Sequence, residues 1–230
     1  MGWMESNWKS MTGLLGRLNP LRWDRAFTEV FSLDEDEVDG GLLLDTPLFG
    51  GDGQLFTELA KTCRHYGEYG CGGSTVWMLR ETAAEVVSVD LFRSRLDRVQ
   101  AEAGQAAERA KLIEVGLQMT LDGSGLIPDE QRHRVGDYLA APWKFRMDQP
   151  DLVLIDGQFR VACFLYTLLQ AAAGTRVLFD DYRDRPQYHV AEEVCPVVAW
   201  SGRMALVVVP ENVDRARLEE ALVRYIAVVE

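Results

Sequence analysis

The chain has 230 residues, a length one large α/β domain can use, and its 47 % apolar and 26 % charged residues are ordinary values for a folded soluble protein. A formal net charge of −12 argues against a nucleic-acid partner, because such partners are bound by Lys and Arg that displace counterions. No stretch approaches the roughly 18 uncharged apolar residues of a membrane span, and the start, MGWMESNWKS, lacks the apolar core of an export signal, so a cytoplasmic location is expected.

Residues 1–52 read as an appendage. Trp3, Trp8, Leu14, Leu15, Leu18, Leu21 and Trp23 suggest short amphipathic helices, and an acidic loop follows over residues 34–39. Residues 53–230 then read as one α/β domain. The run GQLFTELAKTCRH (53–65) has helical periodicity, 66–69 is a short strand entering a glycine turn, and 74–82 is the helix that leaves it. EVVSVD (85–90) is an apolar strand ending in an acid, 94–111 is a helix rich in Ala, Glu and Arg, and KLIEV (111–115) is a further strand. Residues 116–150 are polar and irregular, with Tyr138, Trp143 and Phe145 able to stack on an acceptor. DLVLID (151–156) is a buried strand, 161–173 an apolar helix, RVLFD (176–180) the next strand and 188–194 a short helix. Two runs, 197–200 and 204–209, flank the turn Ser201, Gly202, Arg203 and predict a hairpin; 213–228 is a closing helix. The cysteines Cys63, Cys71, Cys163 and Cys195 form no CxxC pair and are expected as free thiols in a reducing compartment.

Continuous apolar strands alternating with helices imply a mainly parallel sheet covered on both faces, to which the hairpin adds one antiparallel strand. Ligands of such sheets bind beyond the carboxyl ends of the strands. Glu68, Asp90, Asp156, Asp180 and Asp181 all fall at such ends. The segment EYGCGGST (68–75) is a strand–turn–helix of the form E-x-G-x-G-G-S-T. Its glycines let backbone pass close to a ligand, and the helix start offers N–H groups and a positive dipole end. A dinucleotide fingerprint would place its third glycine at position 75, where this chain has Thr75, so nicotinamide binding is disfavoured.

This segment resembles the first motif of the class I S-adenosylmethionine-dependent methyltransferases, an acid followed by G-x-G, and the likeness continues at Asp90, at the end of the second strand. The resemblance implies a Rossmann-like α/β fold, with a seven-stranded, mostly parallel sheet carrying one antiparallel strand. It implies S-adenosylmethionine as cofactor, with Asp90 on its ribose hydroxyls and Glu68 supporting the loop and the cofactor's amino group. Gly70 and Gly72 would lie along its methionine part, with Ser74 and Thr75 at the helix start. The runs EYG-x-GGST, IDG-x-FRV and FDDY together resemble a small group of bacterial methyltransferase-like proteins across residues 66–209.

Asp156, Asp180 and Asp181 end two neighbouring strands, and three ionised carboxylates there repel one another unless a cation or protons intervene. Hard oxygen ligands suit Mg²⁺, Ca²⁺ or Mn²⁺. The pattern resembles the metal-dependent O-methyltransferases of the catechol and macrolide-sugar types. That resemblance implies Asp156, Asp180 and Asp181 as metal ligands, with the ion lowering the pKa of an acceptor oxygen. Where those families carry a Lys or His base, this chain has Phe159 and Arg160, which leaves Asp156 and His189 as the candidate catalytic groups. The expected activity is methylation of a small-molecule acceptor, at oxygen, without nucleic-acid or membrane partners and with homo-oligomerisation left open. The alternative is a methyltransferase-like binding or interaction protein that has lost catalysis.

Overall fold

The computed structural model describes residues 43–45, 47–117, 131–144 and 148–226, and in them the sequence pattern becomes seven strands and six α-helices. Helix α1 (Gln54–Ala60) precedes strand β1 (His65–Tyr69) and helix α2 (Gly73–Glu81). Strand β2 (Glu85–Asp90) leads into α3 (Arg93–Ala103), a 3-10 turn over Gly104–Arg109 and β3 (Ala110–Glu114). Helix α4 (Arg132–Lys144), β4 (Leu152–Ile155), α5 (Arg160–Gln170) and β5 (Arg176–Phe179) follow. A 3-10 segment, Pro186–Glu193, then precedes the hairpin of β6 (Ala199–Ser201) and β7 (Met204–Val208), and α6 (Arg215–Tyr225) closes the described chain.

The strands form one sheet in the order β3-β2-β1-β4-β5-β7-β6. β1 pairs in parallel with β2 and β4, β2 with β3, and β4 with β5. β7 is antiparallel to both of its neighbours, β5 and β6. This is the mixed sheet expected, with the reversed strand where the hairpin places it. The order turns back between β1 and β4, so the crevice that such a sheet offers a ligand lies at the carboxyl ends of those two strands.

Both faces are covered, as fully apolar strands require. Tyr66 points to one face, where its ring meets Phe56 of α1, and Phe56 in turn meets Trp77 of α2. Tyr69, three residues on, points to the other and packs on Tyr138 of α4. β4 and α5 supply the centre of the core: Leu152, Val153, Leu154 and Ile155 are fully buried, as are Val161, Ala162, Cys163 and Phe164.

Residues 116–150 depart from the irregular segment expected, because α4 lies within them. Val135, Tyr138, Leu139 and Ala141 give it a buried face at helical spacing, and Pro142 sits in its last turns, which masks the pattern in the sequence. The helix expected over 94–111 ends at Ala103, and the chain tightens into the 3-10 turn before β3 begins at Ala110. The helices expected in the appendage, the acidic loop over 34–39 and Phe145 lie outside the described residues. Of the appendage expected over residues 1–52, the described part is tied to the domain. Leu43 N–H donates to the Glu102 carboxylate at 2.8 Å, and Ser201 Oγ donates to the Asp52 carbonyl at 3.0 Å.

Candidate functional site

The glycine loop joins β1 to α2 and is built around a buried acid. Glu68 is inaccessible to solvent, and each of its oxygens accepts two hydroxyl donors. Oε1 takes Tyr66 at 3.0 Å and Ser74 at 2.5 Å, while Oε2 takes Thr75 at 2.5 Å and Ser88 at 2.6 Å. Burial pushes the Glu68 pKa up, and the Ser74, Ser88, Thr75 and Tyr66 hydroxyls pull it back. A carboxylate offers about four acceptor positions, so this set leaves none for a cofactor's amino group. Glu68 supports the loop; the second task expected of it has no acceptor here. The Ser74 and Thr75 hydroxyls face the same acid, so what these residues can offer a ligand is the backbone N–H groups of the first helical turn.

Thr75 also closes the loop from the other side, because Gly72 N–H donates to Thr75 Oγ1 at 2.9 Å. Gly70 has φ +89°, and a Cβ there would sit 2.6 Å from the Cα of Gly157, where the turn after β4 crosses the loop backbone on backbone. Gly72 differs: a Cβ there would meet nothing within 4 Å. The loop is thus packed underneath and open above, at the residue expected to face a ligand.

Asp90 ends β2 beside this loop. Its Oδ2 accepts the Cys71 N–H at 3.0 Å and its Oδ1 the Phe92 N–H at 3.0 Å, with Arg95 Nη1 3.8 Å from Oδ2. Burial raises its pKa, against Arg95 and the two N–H donors, which lower it. Each oxygen keeps acceptor capacity beyond these bonds. Burial, reinforced by the same acid, pushes the Cys71 thiol far above its ordinary range. All four cysteines are buried, and none is in a disulfide.

The second cluster lies at the ends of β4 and β5. Carboxylate oxygens of Asp156, Asp180 and Asp181 lie within 4.8 Å of one another, so the three acids do converge. Three arginines sit among them, however. Arg203, from the β6–β7 turn, grips fully buried Asp180 through both oxygens, Nε to Oδ1 at 3.1 Å and Nη2 to Oδ2 at 2.8 Å, and lies 3.0 Å from Asp181. Arg160 pairs with Asp156 at 3.2 Å and Asp181 at 3.3 Å, and Arg185 also pairs with Asp181 at 3.3 Å. Arg160 further donates to the carbonyls of Gly157, Asp180 and Asp156, so it braces the two strand ends together. Burial lowers the Arg160 pKa, but Asp156, Tyr188, Asp181 and Asp180 outweigh it. The donor set therefore fits a metal poorly: charges that would recruit one are already balanced by guanidinium groups.

Asp156 is the acid held least tightly, and 31 % of its side-chain surface stays accessible. Removal from bulk water pushes its pKa up to about 7; Arg160 opposes this, while Asp180, Asp181 and Glu68 reinforce it. His189 is half-buried, stacked on Tyr182 with ring centroids 5.1 Å apart. Its Nε2 lies 3.1 Å from the Tyr182 carbonyl. A carbonyl only accepts, so Nε2 carries the proton and Nδ1 is the basic atom of the neutral ring. Of the aromatic residues expected to stack on an acceptor, Tyr138 is 1 % exposed and belongs to the core, and Trp143 donates its indole N–H to Tyr69 Oη at 2.9 Å.

One solved structure similar to this chain is a methyltransferase-like protein from Silicibacter pomeroyi. The two chains are 29 % identical, with a TM-score of 0.66 over 80 % of this chain and 97 % of that one. This is the class I methyltransferase fold. More distant are an O-methyltransferase from Bacillus cereus in complex with S-adenosylhomocysteine (17 % identity, TM-score 0.42, 74 % of this chain and 64 % of that one) and an O-methyltransferase of tomaymycin synthesis from Streptomyces achromogenes in complex with S-adenosylmethionine (18 %, 0.44, 68 % and 77 %). No protein-family model and no curated protein matches the chain. Within the methyltransferase fold, the guanidinium groups among the strand-end acids are what sequence reasoning missed. Arg203 is 23 residues from Asp180, and the only signal was a charged residue at the tip of an otherwise apolar hairpin.

Proposed function

We propose that the chain is an S-adenosylmethionine-dependent methyltransferase that acts on a small-molecule acceptor, at oxygen. The observation that carries this reading is the loop over residues 70–73, held rigid from below by Glu68 and Gly157, open above at Gly72, and flanked by Asp90. Bound there, S-adenosylmethionine would supply an electrophilic methyl group on a sulfonium. Gly70 and Gly72 would hold its methionine part and Asp90 its ribose hydroxyls, while the first turn of α2 offers N–H donors. Asp156, at the neighbouring strand end, is the side chain placed to take a proton from an acceptor, with His189 Nδ1 as the other candidate. No step is assigned to a metal, because the arginines already occupy the acids. The reading places the protein in the cytoplasm; among the described residues no helix is long and apolar enough to cross a membrane.

Calorimetry with S-adenosylmethionine and S-adenosylhomocysteine tests the first part, and the expected result is binding with a micromolar Kd. A folded wild type that binds neither would end the proposal. The second reading, a binding protein without turnover, is favoured by one observation: Asp156, the first base candidate, is already paired with Arg160. It predicts cofactor binding with no S-adenosylhomocysteine formed across a library of hydroxyl-bearing metabolites.

A further inference from the structure

Three carboxylates at one sheet edge need three positive charges, or their equivalent, to remain ionised together. The distances among Asp156, Asp180 and Asp181 are short enough for a single ion to span, so distance alone does not decide what balances them. The partners do. Asp180 has no solvent-accessible side-chain surface, and both its oxygens are engaged by one guanidinium fork. Asp181 touches Arg160, Arg185 and Arg203, and Asp156 touches Arg160. Three guanidinium groups thus meet three carboxyl groups within the same cluster.

We infer that Arg203, with Arg160 and Arg185, stands where a divalent cation would otherwise balance these acids, so that this site works without a metal and its charge is supplied from the β6–β7 hairpin. Two further features make this a built arrangement. Arg160 is locked by three main-chain carbonyls at the ends of β4 and β5, so it cannot swing aside. Arg203 is fixed at its own backbone, where its carbonyl accepts the Arg183 N–H at 3.0 Å and ties the turn after β5 to the hairpin. A cation entering the cluster would have to displace the Arg203 fork from a buried carboxylate and settle among fixed guanidinium charges, both unfavourable. A consequence, which rests on the methyltransferase reading, concerns the acceptor. Substrates that rely on two adjacent oxygens to chelate an ion have no anchor here, so the site favours acceptors presenting a single nucleophile.

The test needs neither cofactor nor acceptor, so its outcome is independent of whether methyl transfer occurs. Metal content of the full-length protein is measured by plasma mass spectrometry, and its melting temperature in EDTA and then in 10 mM Mg²⁺, Mn²⁺ or Ca²⁺. Wild type is expected to carry no stoichiometric ion and to shift by less than about 1 °C. The double variant Arg185→Gln, Arg203→Gln leaves three carboxylates against the single guanidinium of Arg160. It is expected to melt lower than wild type and to recover by about 3 °C or more in Mn²⁺ or Ca²⁺, as binding to the folded state by mass action requires. If the double variant does not fold, Arg203→Gln alone is read in the same way. A stoichiometric ion in wild type, or a clear rise of its melting temperature with any of the three, overturns the inference. So does a folded variant that gains no response to metal.

Discussion

Glu68 concentrates four hydroxyl donors on one buried carboxylate, and those donors come from β1, α2 and β2. Glu68→Gln keeps the volume but turns one acceptor into a donor facing two hydroxyls. The expected loss is about 1–3 kcal/mol, read as a lower midpoint in chemical denaturation with an unchanged slope. Asp90→Asn meets the same conflict with the Cys71 and Phe92 N–H groups, and it also removes the charge offered to a ribose. Cofactor affinity should fall by about 1.5–3 kcal/mol in calorimetry on a variant verified as folded. An unchanged Kd would leave Asp90 as a loop support alone. Asp156 gives a pH signature. Its pKa is raised from 3.8 to about 7 in the folded state, so the folded protein holds a proton there that the unfolded chain has released. That contribution to stability is complete below about pH 4 and is lost as pH rises to about 7. Asp156→Asn should therefore flatten the fall in melting temperature between pH 4 and 7 relative to wild type. The acids themselves were legible in the sequence because they end apolar strands. Their partners were not: Arg160 and Arg203 lie 20 and 23 residues from Asp180 along the chain, and no local pattern encodes which cation meets which acid.

At the scale of elements, the glycine loop and the turn after β4 act as one unit. Gly157 lies under the loop, where a Cβ would fall 2.8 Å from the Gly70 nitrogen, and Tyr138 of α4 packs on the same spot. Gly157→Ala must push these backbones apart. The expected cost is about 1–3 kcal/mol in stability, together with weaker cofactor binding although residue 157 is not placed on the cofactor. Thermal melts and calorimetry on the same preparation check both; a variant with full affinity would show that the loop does not depend on this contact. The glycine motif was readable because turn chemistry is local, and the strands were readable because both sheet faces demand unbroken apolar runs. Helix α4 was not, since Pro142 and the charged stretch Arg132, His133, Arg134 hide the buried face made by Val135, Tyr138 and Leu139. That miss had a consequence for the site: Tyr138, expected to meet an acceptor, instead fills the core between Tyr69 and Phe159.

Across the whole molecule, the order β3-β2-β1-β4-β5-β7-β6 puts β1 and β4 in the middle of the sheet and both acid clusters at their carboxyl ends. The strands that end at the candidate site are themselves core: Tyr66 and Tyr69 of β1 and Leu154 and Ile155 of β4 are fully buried. A ligand that binds the loop over residues 70–73 engages groups from β1, α2 and β2, none of which is arranged this way in the unfolded chain. Its binding energy must then appear as stability of the whole domain. With S-adenosylhomocysteine at 100 times its Kd, the gain by mass action is about 2.7 kcal/mol. For a chain of this size that corresponds to a rise in melting temperature of roughly 5–11 °C, growing with the logarithm of concentration. Two controls make the rise interpretable. Asp90→Asn should reduce it at fixed concentration, whereas the double variant Arg185→Gln, Arg203→Gln should melt lower and yet show the same increment, because its substitutions lie at the other acid cluster. An equal loss of the increment in both variants would mean that the two strand ends form a single binding unit. No rise in the wild type at millimolar ligand would remove the cofactor reading altogether and leave the fold without the function proposed for it.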